Sequence, residues 1–281
     1  MPAPRTSTGV TAALIALVTA LALLLTSTPA SAASAASAAE QRAAERWYLS
    51  LGDSLAFGFQ RFKVGQPAEA FDTGYADLLA PRLHHGQQRT TLVNYGCPGE
   101  STTTFATGRC PWAGAGLPLH DAFTGTQQAA AVRFLRDHRG RVDLVTLSLW
   151  GNDANEFVAS CNGNVQCILD GAPAAIAGIA ANLSGILRQL HRAAPDARLV
   201  VLGAFDVNVG AFPVTHPIIR QLNAAMAAAA AEHGARFADP MPVFNPEGDT
   251  GATLCTLTLL CRDGDAHPSD AGYQALADLM E

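Results

Sequence analysis

Five positions in the chain have the residue types that nucleophilic attack on an acyl carbon would require. The first is Ser54, in "WYLSLGDSLAFGF" (residues 47–59), where a strand-like apolar run stops at Gly-Asp-Ser. A hydroxyl at such a junction is held on a rigid support, but serine is a weak nucleophile and needs an adjacent base. Asp53 and Ser54 would equally suit the cap of a helix, and Asp53 is read as structural. The base must come from the eight histidines. His138, His191 and His233 fall at predicted helix ends, where a cation suits the macrodipole, and His84 with His85 closes a helix in the same way. His120 lies in the loop "LPLHDAF", and His216, just before Pro217, is the second choice. His267 stands apart, in a loop "DGDAHPSD" between acids and a helix that Pro268 is expected to open. A carboxylate beside it, with Asp265 preferred, would fix the imidazole tautomer and stabilise its charged form. Developing negative charge needs aimed donors. Gly99 in "CPGEST" offers a backbone N–H and Asn152 in "WGND" an amide. Each could instead be an ordinary turn residue.

The elements that would bring these positions together are legible as alternating strands and helices. "RWYLSLGD", "RTTLVNYG", "VDLVTLSLW", "ARLVVLGA" and "ARFADP" read as strands. "GYADLLAPRL", "GTQQAAAVRFLRDH", "APAAIAGIAANLSGILRQLHRAA", "HPIIRQLNAAMAAAAAEHG" and "PSDAGYQALADLM" read as helices. The strands are short apolar runs without strict alternation, as burial on both faces of a parallel sheet demands. Right-handed crossovers then give an α/β fold, a three-layer α/β/α sandwich around a mostly parallel sheet of about five strands. In open sheets of this kind ligands bind beyond the carboxyl ends of the strands. Ser54, Gly99 and Asn152 each follow such an end, and His267 precedes the last helix.

Composition narrows the classes further. The chain is 281 residues long, 49% hydrophobic and 15% charged, with a net charge of −6. That supports a large core and offers no basic stripe for nucleic acid. Residues 1–39 carry Arg5 as the only charge ahead of "GVTAALIALVTALALLLTS" and end in repeated Ala-x-Ala sites. This is the pattern of a secretory signal peptide cleaved between Ala30 and Ala39, so a secreted, extracellular protein with no stable membrane insertion after cleavage is expected. Residues 40–281 show no linker and no repeat, and one domain is expected. All six cysteines lie in this part, in three close pairs: Cys97–Cys110, Cys161–Cys167 and Cys255–Cys261. An even count in an exported chain reads as disulfides between neighbours. No pair has the two-residue separation of a zinc knuckle, so no metal is expected.

Taken together, "LGDSLAFG", "NYGCPGEST", "LWGNDANEF" and "GDAHPSDAGY" resemble the four blocks of the SGNH (GDSL) hydrolases, through most of residues 40–281. The segment from Cys97 to Gln127 is similar to exported bacterial members with three disulfides, and the fold implied is flavodoxin-like. The resemblance implies a serine ester hydrolase, a GDSL-type lipase or esterase, working through an acyl-enzyme without a cofactor. Ser54 would be the nucleophile and His267 the base. The Ser54 N–H, Gly99 and Asn152 would form the oxyanion hole. The expected partner is a small-molecule or lipid ester, and a monomer is expected. A carbohydrate deacetylase or acyltransferase on the same site is the nearer alternative, and a non-catalytic wall- or glycan-binding module the more distant one. Two positions depart from the family pattern. Trp150 stands where the third block has glycine, so it either walls the acyl pocket or belongs to the core. Gly264 stands where the last block has its acid. Asp265 is therefore the acid of choice, with a backbone carbonyl such as that of Gly264 as its alternative.

Overall fold

The computed structural model describes residues 45–83, 89–208, 212 and 214–281. The signal-peptide reading, His84 and His85 lie outside these residues. Residues Glu45–Glu281 form one compact unit.

In chain order the elements are β1 (Arg46–Gly52), α1 (Ser54–Phe57), α2 (Tyr75–Leu79), β2 (Thr90–Asn94), α3 (Thr102–Thr107), α4 (Pro111–Gly114), α5 (Gln127–Asp137) and β3 (Val142–Ser148). There follow α6 (Gly151–Ser160), α7 (Val165–Ala193), β4 (Arg198–Leu202), α8 (Thr215–Glu232), β5 (Arg236–Ala238) and α9 (Met241–Phe244). The chain closes with α10 (Ala252–Leu257), β6 (Thr258–Leu259), α11 (Leu260–Asp263), β7 (Asp265–Pro268) and α12 (Asp270–Met280).

Five strands form the central sheet in the order β2-β1-β3-β4-β5, every neighbouring pair parallel. The expected three-layer α/β fold is present. Tyr48, Leu49 and Leu51 of β1, Leu144 and Leu147 of β3, and Val201 and Leu202 of β4 are essentially inaccessible. Successive residues point to opposite faces of a strand, so burial of neighbours such as Tyr48 and Leu49 requires cover on both faces. The helices supply it, Leu183, Ile186, Leu187 and Leu190 of α7 among their buried residues. From β1 the chain moves first to one side, to β2, and then returns across to β3, β4 and β5. The crevice at this reversal lies beyond the carboxyl ends of β1 and β3, where such folds bind ligands.

One departure concerns the last block. His267 lies not in a loop but in β7, which pairs antiparallel with β6. Pro268 ends that strand and does not open the helix. Ser269 is the cap of α12, its hydroxyl accepting from the Gly272 N–H, so the helix begins at Asp270. A capping serine competes directly with proline for the helix start.

The Gly-Asp-Ser junction has a steric origin. Gly52 has a φ of +128°, and a Cβ on it would stand 2.1 Å from the Ser148 carbonyl oxygen of β3. Its N–H and C=O are both taken by the Gln127 side chain, at 2.7 and 2.9 Å. The strand therefore leaves the sheet at a point where only glycine fits. We expect Gly52→Ala to cost at least about 3 kcal/mol, from strain plus clash. Thermal unfolding followed by circular dichroism checks this, and an unchanged midpoint would contradict the close approach.

Candidate active site

Ser54 is the first residue of α1, directly after the strand exit. Asp53 caps this short helix, its Oδ1 accepting from the Leu55 N–H at 2.9 Å and from the Ser148 hydroxyl at 3.0 Å. Leu55, Ala56 and Phe57 are buried beneath it. Asp53 thus caps α1, while the Ser54 side chain stays partly exposed.

Across the cleft, His267 Nε2 lies 2.9 Å from Ser54 Oγ, and His267 Nδ1 lies 2.6 Å from Asp265 Oδ1. A carboxylate only accepts. Nδ1 therefore carries the proton, Nε2 is the acceptor, and the serine hydroxyl donates to it. Residues i and i+2 of a strand face the same side, so an Asp-x-His spacing works because the segment is extended. Gly264 explains why the acid is not one residue earlier. It ends α11 in the left-handed region, φ +63°, its N–H bonding to the Leu260 carbonyl. The side chain of Asp265, and not the Gly264 carbonyl, meets the ring.

Asp265 is fully buried and well supplied with donors: its Oδ2 accepts from the Arg61 N–H at 2.8 Å. Burial alone would raise its carboxyl. The bonds from the His267 ring, the Arg61 N–H and the His267 N–H, with the imidazole charge, outweigh that and hold it at about 2. Phe59 packs against the imidazole with ring centroids 4.6 Å apart.

Gly99 is the third residue of a Cys97–Glu100 turn closed by the Glu100 N–H to the Cys97 carbonyl. Its φ of +87° and the preceding Pro98 are what a type II turn requires. Among the described residues, the backbone N–H groups of Ser54 and Gly99 have no protein acceptor. Asn152, in the first turn of α6, donates one amide hydrogen to the Glu100 carbonyl at 2.8 Å, leaving its second free. Its neighbour Asp153 accepts from the Thr102 N–H at 2.9 Å and from the Thr102 hydroxyl. These bonds stitch the loop after β2 to the start of α6. All three donors line one cleft with Ser54 and His267.

Sequence reasoning missed several supports: Gln127, which ties Gly52 to Glu100, the Asp153–Thr102 pair, Ser148 and the Arg61 backbone. Only Asp153, next to Asn152, carried a local signal. Of the other histidines, His120 Nε2 bonds to the Phe57 carbonyl at 2.9 Å, His138 and His233 cap helix C-termini, and His191 lies in the last turn of α7. His216 is 3.7 Å from Asp206 and is not joined to Ser54. The three disulfides link Cys97 to Cys110, Cys161 to Cys167 and Cys255 to Cys261.

The cleft has a volume of about 600 Å³ and runs from Ser54 between α6, α7 and α8, walled by Ile168, Ile176, Phe205, Ile219 and Leu222. Trp150 is buried edge-on to Phe205 and also lines the cleft. It is core and wall together.

A family model for GDSL-like lipases and acylhydrolases matches residues 50–275. The chain belongs to this family. It is an ester-hydrolysing enzyme of the GDSL lipase/esterase type. No curated protein matches it. Among solved structures, it is similar to an extracellular lipase from Streptomyces rimosus at 20% identity and a TM-score of 0.56, with 83% of this chain and 97% of that one covered. Phospholipase A1 from Streptomyces albidoflavus gives 20% identity, a TM-score of 0.55 and the same coverage. The acetylxylan esterase Axe2 from Geobacillus stearothermophilus gives 16% and 0.52, over 83% of this chain and 91% of that one. At these identities the likeness is one of fold.

Asp53 titrates in the opposite sense to Asp265. Its burial pushes the carboxyl up to about 7 despite the bonds from Leu55 and Ser148. A raised folded-state value means that the native state holds more protons than the unfolded chain between about pH 4 and 7, so Asp53 removes stability as pH rises through that window. Asp265, held low, adds stability that is lost only as pH falls from about 4 through about 2. Asp53→Asn preserves an acceptor for both donors and removes the buried charge. Its unfolding midpoint should gain on the parent protein from pH 4 to 7. A difference independent of pH would contradict the assignment.

Proposed function

We propose that Ser54, His267 and Asp265 form the catalytic triad of this esterase, with the Ser54 N–H, the Gly99 N–H and the free Asn152 amide hydrogen as its oxyanion hole. The observation that carries the reading is the continuous chain Asp265 Oδ1–His267–Ser54 Oγ, at 2.6 and 2.9 Å. In the first step the Ser54 oxygen attacks the ester carbonyl as its proton passes to His267 Nε2. The three donors hold the oxyanion, which collapses as His267 returns the proton to the departing alcohol. Water then attacks the acyl-enzyme by the same route, releasing the acid and restoring Ser54. Asp265 stays ionised throughout and holds Nδ1–H, the role its low pKa suits.

The acyl group belongs in the apolar cleft between α6, α7 and α8, on this reading. Each methylene buried there contributes about 0.8 kcal/mol, up to about fourfold in kcat/KM. A preference for long acyl chains over acetyl distinguishes a lipase-like esterase from a deacetylase. Export to an oxidising compartment, with removal of residues up to the 30–39 region, accounts for three disulfides in one chain.

Turnover of p-nitrophenyl esters tests these roles. Ser54→Ala should lose several orders of magnitude, Asp265→Asn roughly 10²–10⁴ and Asn152→Ala about 10²–10³. Near-normal rates in Ser54→Ala would remove the nucleophile. A fall in kcat/KM from acetyl to decanoyl esters would reverse the assignment of the cleft.

A further inference from the structure

Two contacts, one helical turn apart, join α6 to α7. The first is the Cys161–Cys167 disulfide. The second is the Phe157 ring against Gly171. A Cβ at Gly171 would stand 2.8 Å from Phe157 Cε2 and 2.9 Å from its Cζ. Phe157 and Cys161 are four residues apart at the end of α6, and Cys167 and Gly171 are four apart in α7. Residues at that spacing share a helix face. The disulfide and the ring are therefore successive rungs of an antiparallel helix pair.

Glycine inside a helix is unfavourable unless packing requires it. The other two glycines of α7 have no such reason. A Cβ at Gly178 would meet nothing within 4 Å, and one at Gly185 only the Arg188 guanidinium at 4.0 Å. At Gly171 the place of the missing side chain is filled by the tip of an aromatic ring.

That ring stands where the seam between the two helices opens into the cleft. Ala175, one turn on from Gly171 and about 40° round the helix, lines the cleft, as do Ile168 and Ala172. Cys167, one turn back and about 40° the other way, faces α6 through its disulfide. Gly171 lies between these two flanks. Phe157 is half-buried and itself lines the cleft. It is five residues beyond Asn152 on α6, about 7.5 Å along the axis. An extended acyl chain advances about 1.2 Å per bond. A chain running from Ser54 along α6 draws level with the ring at about its sixth carbon.

We propose that Phe157 is a specificity-determining residue for acyl-chain length, and that Gly171 is the recess that keeps its ring beside the chain's path and out of it. This rests on the acyl-cleft reading above. A methyl group at position 171 takes the recess and displaces the ring. Turning outward would expose its apolar area to water, whereas turning inward keeps it against apolar walls. The displaced ring then blocks the cleft beyond its first few carbons.

The test compares kcat/KM for p-nitrophenyl acetate, butyrate, hexanoate, octanoate and decanoate in the mature protein, Gly171→Ala, Phe157→Ala and the double variant. Gly171→Ala should leave acetate and butyrate within about twofold and lower decanoate about tenfold or more, two or more buried methylenes being lost at about fourfold each. Alanine is the better helix former, and the short esters report that the active site is intact. In the Phe157→Ala background the same glycine substitution should leave the chain-length profile unchanged, because no ring remains to be displaced. Undiminished decanoate turnover in Gly171→Ala, an equal fall for acetate and decanoate, or the same chain-length loss without the ring each overturns the proposal. A parent profile that falls from acetate to decanoate overturns the acyl-cleft reading and this proposal with it. A rising parent profile that Gly171→Ala does not alter overturns this proposal alone.

Discussion

The close passage of β1 against β3 is the constraint from which the rest of the site follows. At Gly52 the two backbones approach until no side chain fits between them, and the Asp53 N–H bonds to the Ser148 carbonyl. Ser54 stands two residues beyond this contact on one strand, and Asn152 four residues beyond it on the other. Their separation is fixed by backbone packing and not by flexible side chains. Asp53 reinforces the contact by accepting from Ser148 while it caps α1. A buried carboxyl raised to about 7 is the local cost of that junction.

On the opposite side of the cleft the geometry depends on a strand of four residues. β7 is short, but its extended backbone turns a two-residue spacing into a shared face, so Asp265 and His267 act as one unit. Arg61 and Phe59, from the segment after α1, close around that unit. The element that supplies Ser54 thus also fastens its partner, although 213 residues separate Ser54 from His267.

Much of this was legible in the sequence because the signals were local. Apolar runs marked the five strands, and strand ends marked where polar residues would converge. The assignment of Asp265 turned on one position: a glycine at 264 removed the usual acid, and the neighbouring carboxylate remained. What the sequence concealed was of two kinds. The β6–β7 pair is too short to show alternation, so His267 read as loop. Supports such as Gln127 reach across 75 residues to Gly52, a relation no periodicity can encode. Trp150 looked like a choice between wall and core, and only packing against Phe205 showed that one side chain serves both.

The three disulfides are distributed unevenly with respect to the sheet. Cys97–Cys110 brackets the turn that carries Gly99. Cys161–Cys167 joins the end of α6 to the start of α7, and Cys255–Cys261 flanks β6, the partner of the strand bearing His267. None crosses the central strands, whose apolar burial suffices. Covalent bonds are placed where loops have too little buried area to order themselves. A thiol-rich environment would therefore erode the reactive edge before the scaffold, leaving a molecule whose spectroscopic signature is native while its working surface has lost definition.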